Sequence, residues 1–224
     1  MVTNMKKKIV LLHTSLVSFD VLNRLFAEII PEAEISNIVD EDLLATLNKN
    51  RAITESIIQR ICSYIIFAEN CGADLIFSQC SSTREAVECA RKMVKIPVVM
   101  VDDGMSEKAV SIGERIGIVA TAAATIKPTG SALQSAAARS GTKVVLKEYL
   151  ADGALDILMK EKNVEKHNRI VLELIKKAVC ENDVVVLAQG SMITLEPFIK
   201  NTRVPVLTSL KLGVEKVRKI LGKF

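Results

Sequence analysis

Tryptophan is absent from this chain, tyrosine occurs twice and phenylalanine six times. Any core must therefore be packed by aliphatic side chains, and stacking platforms for nucleic-acid bases are few. Histidine occurs only twice, and the five cysteines contain no Cys-x-x-Cys pair. Neither a zinc site nor a disulfide framework fits that supply. No Gly-x-Gly-x-x-Gly or Gly-x-x-x-x-Gly-Lys-Ser/Thr run is present, so the phosphate-cradling loops of nucleotide-cofactor enzymes have no counterpart. No apolar run approaches the roughly 20 residues of a membrane span. Ile9–Leu12 is too short for a signal-peptide core and leads straight into the polar His13-Thr14-Ser15. No Gly/Ser-rich linker or low-complexity tract interrupts the chain.

What is present is a chain of 224 residues, 49% hydrophobic, with a formal charge of +4. That length allows one large or two small domains, with enough apolar surface for a substantial core. The largest basic clusters are Lys6-Lys7-Lys8 and the Lys211–Lys223 tail. The tail has helical spacing and reads as a solvated face, so no nucleic-acid partner is expected. Reduced thiols imply a cytoplasmic protein, and neither a metal nor a membrane partner is expected.

Strand and helix patterns alternate. Strands are expected at Lys8–Leu12, Ile35–Val39, Leu75–Phe77, Pro97–Val101, Arg115–Val119, Lys143–Lys147, the run ending at Leu187, and Pro205–Leu207. Helices are expected at Phe19–Ile30, Asn50–Cys71, Arg84–Lys92, Ser106–Gly113, from Thr125 to Arg139, Asp152–Lys160, Val164–Cys180 and up to Leu221. Asp40-Glu41-Asp42 reads as an acidic turn, and Gly72 as the residue just past a helix end. Such alternation with short turns predicts mostly parallel sheets flanked by helices.

The organising stretch is Ala73–Thr83, an apolar strand ending in Gln79-Cys80-Ser81-Ser82-Thr83. It recurs as Asn182–Met192, where Asp183 falls on Asp74, Ser191 on Ser82 and Gln189 on Cys80. Upstream, Lys8–Thr14 matches Arg115–Thr121; downstream, Ile96–Val99 matches Val204–Leu207. The three pairings keep their order at offsets of 107 to 109 positions, the pattern of a duplicated unit. The fold expected is α/β, with two pseudo-symmetric halves and an active site in the cleft between them. The first half takes residues 1–101 plus 206–224, the second 102–205.

A thiol at the carboxyl edge of a sheet, beside small hydroxyl residues at a helix start, is placed where open α/β sheets bind ligands. Helix amides there can hold an anion or stabilise a thiolate. Thr14 and Ser15 line one rim, Thr121 and Thr125 the other, and the lining suits a small carboxylate. The remaining cysteines read as packed small hydrophobes. Asp74 and Asp183 read as turn residues on the far edge, and Asp102 and Asp103 as a helix start that could reach the cleft.

Gln79-Cys80-Ser81-Ser82-Thr83, Ile118-Val119-Ala120-Thr121 with Thr125, and Leu187-Ala188-Gln189-Gly190-Ser191-Met192 together resemble the aspartate/glutamate/hydantoin racemase superfamily over nearly the whole chain. The resemblance implies a cofactor-independent isomerase in which two cysteines, one from each half, flank the acidic carbon of a small carboxylate. It assigns Cys80 as an acid/base, and Ser81, Ser82, Thr121, Thr125, Gly190 and Ser191 to the substrate. The second cysteine position holds Gln189, whose amide is neither acid nor base near neutral pH. Three readings follow. Cys80 acts alone in an isomerisation, epimerisation or decarboxylation; it adds to the substrate as a nucleophile, as in maleate-type cis-trans isomerases; or another group supplies the second proton. His13, at the end of the first strand, is the best-placed candidate, and Gln189 then binds an oxygen through its NH₂. A racemase or epimerase is the leading expectation, a single-thiol lyase the runner-up, and a carboxylate binder without turnover the non-enzymatic alternative. The apolar helix face at Ile57–Phe67 is read as an interface for a homo-oligomer.

Overall fold

The computed structural model describes residues 6–50 and 52–222. The chain divides into two compact units, Met1–Val101 with Gly213–Phe224, and Asp102–Leu212. The first runs β1 (Lys8–His13), α1 (Phe19–Ile29), β2 (Glu34–Val39), α2 (Glu41–Asn50), α3 (Glu55–Asn70), β3 (Leu75–Ser78), a 3₁₀ turn at Ser81–Thr83, α4 (Arg84–Ala90) and β4 (Val98–Met100). Its strands are all parallel, in the order β2-β1-β3-β4.

A parallel sheet is covered on both faces, so its interior strands read as continuous apolar runs rather than alternating ones. β1 and β3 are such runs. Alternate side chains go to opposite faces: Val10, Leu12 and Ile76 pack with Ile57, Ile61, Ile65 and Val87 from α3 and α4. On β3, Phe77 meets Phe26 of α1 edge to face, with ring centroids 5.2 Å apart.

The second unit runs α5 (Asp103–Ile112), β5 (Arg115–Ala120), a 3₁₀ turn at Ala123–Thr125, α6 (Ile126–Ser140), β6 (Val145–Leu150), α7 (Ala154–Met159), α8 (Val164–Glu181), β7 (Val184–Leu187), a 3₁₀ segment at Gly190–Leu195, α9 (Glu196–Ile199) and β8 (Val206–Leu207). α10 (Ser209–Leu221) follows, its first turn counted with this unit and Gly213 onward with the first. The sheet is again parallel, in the order β6-β5-β7-β8. Val119, Val185 and Leu187 pack against Val171 and Ile175 of α8; Ile116, Ile118, Val184 and Val186 pack against Met105 and Leu133 of α5 and α6.

The two units repeat one wiring. Leu12 pairs with Ser78 and the next amide, of Gln79, donates to Leu12 O; Val119 pairs with Leu187 and the amide of Ala188 donates to Val119 O. Asp74 accepts from the amide of Lys8 at 2.8 Å, and Asp183 from that of Arg115 at 2.9 Å. These aspartates pin the start of each unit's first strand. That role is more specific than the far-edge turn residues expected.

Four expectations change. Glu41 opens helix α2 rather than closing an acidic turn, with Leu43 fully buried beneath it. The long helix expected from Asn50 starts only at Glu55, because the Thr54 hydroxyl accepts from the amide of Ile57 and caps it there. Gly72 then follows α3 with φ +80°, a conformation that costs glycine nothing. Residues 206–212 belong to the second unit, not the first, because Val206 and Leu207 pair in parallel with Val185 and Val186. The apolar face at Ile57–Phe67 is spent on its own unit's core, since Ile57, Ile61 and Ile65 have no exposure; Phe67 alone stands out, at 59%. No helix among the described residues is long and apolar enough to cross a membrane.

Candidate active site

Strand order places the site. In the first sheet the chain passes from β1 outward to β2, then crosses back to β3 on the other side of β1. The connections leaving β1 and β3 diverge there, and the crevice beyond their carboxyl ends is where open α/β sheets take ligands. β1 delivers His13, Thr14 and Ser15 to that point, and β3 delivers Gln79 and Cys80. In the second unit the same switch lies between β5 and β7, which deliver Thr121 and Gln189.

Cys80 is extended (φ −109°, ψ 110°) and half-buried, the cap residue of the Ser81–Thr83 turn. Thr83 closes that turn by donating its amide and its hydroxyl to Cys80 O. Gln189 stands in the matching place, extended (φ −132°, ψ 134°) before the Gly190–Leu195 segment. Among the other cysteines, Cys62 is buried and burial pushes its thiol up, Cys71 and Cys180 are exposed on or beside helices, and Cys89 is half-buried on α4. Position, not exposure, sets Cys80 apart.

The hydrogen bonds sort the expected ligands. The Gln189 Oε1 accepts from the Thr121 amide at 2.7 Å and the Thr121 hydroxyl at 2.9 Å. Both lone pairs of that oxygen are engaged, while its NH₂ donates to no protein group among the described residues. Thr121 is 5% exposed and its donors are committed to Gln189. The Thr125 hydroxyl donates to Ala122 O, so it offers lone pairs only. It occupies the cap position of α6 without capping it. The hydroxyls of Ser15, Ser81, Ser82 and Ser191 have no protein partner among the described residues and remain donors for an anion. Thr14 is buried and Gly190 half-buried. Asp102 and Asp103 are buried at the start of α5.

Gln79 was not singled out from sequence. Its Oε1 accepts from the Thr14 amide at 3.4 Å and its NH₂ donates to the Ser18 hydroxyl, so it ties the β1–α1 turn to the cysteine strand. Gln189 does the same work for the Thr121 turn from one position further along. The weak signal available was a glutamine beside the switch strand in both halves.

His13 has no exposure. Its Nε2 lies 2.9 Å from Asn37 Oδ1 and its ring 5.0 Å from that of Phe19. Burial pushes its pKa below the ordinary histidine value, opposed by the Asn37 hydrogen bond. Its Nδ1 is buried with no hydrogen-bond partner among the described residues.

Two cavities, of about 530 and 860 Å³, lie in the second unit around α8, α9 and the loop after α9. None of the candidate residues lines either. No cluster of three or more potential metal ligands occurs among the described residues.

Comparison with known proteins gives a consistent picture. The model of the family described as Asp/Glu/Hydantoin racemase matches residues 14–217. Among solved structures, an aspartate racemase homologue from Pyrococcus horikoshii OT3 is 18% identical with a TM-score of 0.74, covering 97% of this chain and 100% of that one. An allantoin racemase from Klebsiella pneumoniae is 19% identical at 0.72, covering 97% and 89%. A glutamate racemase from Bacillus anthracis is 16% identical at 0.66, covering 97% and 82%. At such identities the likeness establishes the fold. A search of curated protein sequences finds no match.

Proposed function

This chain belongs to the Asp/Glu/hydantoin racemase family, and from that premise we propose that Cys80 moves a proton at the carbon next to the carboxylate of a small acid, without a cofactor. The enzyme class is isomerase, of the racemase or epimerase type, as the family is. The observation that carries the catalytic reading is the place of Cys80, at the end of an interior strand and at the switch point of its sheet.

Removing a proton from that carbon drives charge onto the carboxylate oxygens. Oriented donors there stabilise the transition state more than the ground state. In the first unit the free hydroxyls of Ser15, Ser81 and Ser82 supply such donors; in the second the Ser191 hydroxyl, the Gly190 backbone and the NH₂ of Gln189 offer donors of the same kind. Thr14, Thr121 and Thr125 shape the turns that present them. Inversion needs a second proton-handling group, and His13 is the imidazole at the end of β1. One proton leaves the substrate to one group, and the other group returns a proton to the opposite face. A thiol that donates becomes a thiolate, and an imidazole that accepts becomes an imidazolium. Solvent exchange resets both.

Gln189 at the position matching Cys80 supports a second reading, a lyase or decarboxylase in which one thiol protonates one face. The repeated register supports a duplicated ancestral unit, and five unpaired cysteines support a reducing, cytoplasmic setting.

The test is proton exchange in heavy water with a panel of small carboxylates, followed by NMR with optical rotation alongside. Exchange with inversion is expected, and Cys80→Ser should abolish it with the fold intact. Iodoacetamide should modify Cys80 fastest of the five cysteines, with protection by a carboxylate. Activity retained by Cys80→Ser would refute the reading. Exchange with retention would move the assignment to the single-thiol lyase.

A further inference from the structure

The orientation of one buried imidazole can be deduced from a backbone carbonyl. Phe19 O can only accept, so the Asn23 atom 2.9 Å from it is the amide nitrogen. The other Asn23 atom is then Oδ1, and the Asn37 atom 3.1 Å from it must be the donor, Nδ2. That leaves Asn37 Oδ1 facing His13 Nε2 at 2.9 Å. An oxygen cannot donate, so Nε2 carries the proton. In a neutral imidazole the remaining nitrogen, Nδ1, is then a bare lone pair. It is the nitrogen that is buried without a partner among the described residues.

We infer that Asn37, aligned by Asn23, is a positioning residue that holds His13 in the neutral Nε2–H tautomer and reserves its Nδ1 for a proton taken from the substrate. The inference rests on the reading of His13 as the second proton-handling group. It adds a direction to that reading. With His13 neutral and Cys80 a thiol, the enzyme at rest suits the enantiomer whose proton faces His13. The substrate C–H bond breaks as Nδ1–H forms, the Cys80 S–H bond breaks as the new C–H forms on the other face, and an imidazolium and a thiolate remain. That product state is the one suited to the opposite enantiomer.

Burial supports the neutral form, since desolvation disfavours the imidazolium. The acidic residue next to β2, Asp40, donates its amide to His13 O while its carboxylate is held by Arg60 and Tyr64. Asn37 is exposed on the edge strand β2, so its replacement leaves the core untouched.

The experiment is ¹⁵N NMR of the full chain labelled at histidine, with a His167→Gln spectrum to separate the two rings. His13 is expected to show a protonated Nε2 and an unprotonated Nδ1. Asn37→Leu should mix the tautomers and lower the exchange kcat by roughly tenfold to a hundredfold with little change in KM, the usual loss for an orienting partner. Asn37→Asp keeps the acceptor and should restore the Nε2–H tautomer. A wild-type Nδ1–H, or an unchanged tautomer in Asn37→Leu, would overturn the inference. So would a His13→Asn variant that exchanges at the wild-type rate while Cys80→Ser is inactive; that result would leave the role of Cys80 standing. Failure of the Cys80 reading appears separately, as exchange that survives Cys80→Ser, and does not alter the histidine spectrum.

Discussion

Gln189 braces the Thr121 turn and is proposed to bind substrate, and two substitutions separate the observed role from the proposed one. Its Oε1 satisfies the amide and hydroxyl of the buried Thr121, and its NH₂ is the donor proposed for the substrate carboxylate. Gln189→Ala removes both functions. The Thr121 hydroxyl can rotate to another acceptor, but its amide is fixed and is left unpaired, at a cost of about 1–3 kcal/mol. For a chain of this size each kcal/mol lowers Tm by roughly 2–4 °C, so a fall of about 2–12 °C is expected by calorimetry. Gln189→Glu keeps an oxygen on both Thr121 donors and should melt close to wild type. It replaces the NH₂ by a second anion beside a carboxylate. At a separation of about 5 Å and an effective dielectric near 20 the repulsion is roughly 3 kcal/mol, so carboxylate affinity should fall by about a hundredfold in isothermal titration. An unchanged Tm in Gln189→Ala would refute the brace. Unchanged carboxylate binding by Gln189→Glu would refute the substrate role of the amide.

Three further outcomes are expected. Gln79→Ala should loosen the β1–α1 turn, costing about 0.5–1.5 kcal/mol; hydrogen exchange should show faster amides at Thr14–Ser18 with the sheet unaffected. The folded pKa of His13 is depressed by burial, so its neutral form contributes stability above the unfolded value near 6.5 that is lost as pH falls below it. Denaturant titrations of His13→Asn should therefore show less loss of stability than wild type between pH 6.5 and the lower folded pKa. A Cβ built at Gly213 would lie 2.6 Å from the Val101 carbonyl oxygen, so Gly213→Ala should destabilise by about 1–3 kcal/mol through overpacking, read as a lowered denaturant midpoint.

Most strands were legible because a doubly covered parallel sheet writes itself as uninterrupted runs such as Ile9–Leu12 and Val184–Leu187. Helix α2 was not. Among the described side chains of Glu41–Asn50 only Leu43 is fully buried, so the segment carries a weak apolar stripe and its acidic start resembles a turn. The place of Val206–Leu207 was legible in the repeat, because its counterpart Ile96–Val99 pairs with β3 as Val206–Leu207 pairs with β7; a boundary drawn at 206 overlooks that match. At the site, aligning the halves was enough to give Gln189 the position that Cys80 holds in the first unit, since sheet register follows from strand spacing. The role of Gln79 was not readable, because it depends on a side chain crossing to a turn 65 positions earlier in the chain. The Asn23–Asn37 relay was hidden for the same reason, with partners that meet across β2 and α1.

The two glutamines also bear on what restoring a thiol to the second unit would do. In the first unit the brace sits at position 79, which leaves position 80 free for the cysteine. In the second unit Ala188 holds the place of Gln79 and the brace sits at 189, on the place of the cysteine. Gln189→Cys alone therefore adds a thiol while removing the support of the Thr121 turn. Cysteine is too short to reach the Thr121 amide as glutamine does, so the variant should lose the same ~1–3 kcal/mol as Gln189→Ala. Its new thiol should then be alkylated faster than Cys80, because the turn behind it is no longer held. Competitive iodoacetamide labelling with calorimetry measures both effects. A variant as stable as wild type, with faster substrate proton exchange, would mean that the glutamine is a mere replacement of a lost thiol and that the turn needs no brace.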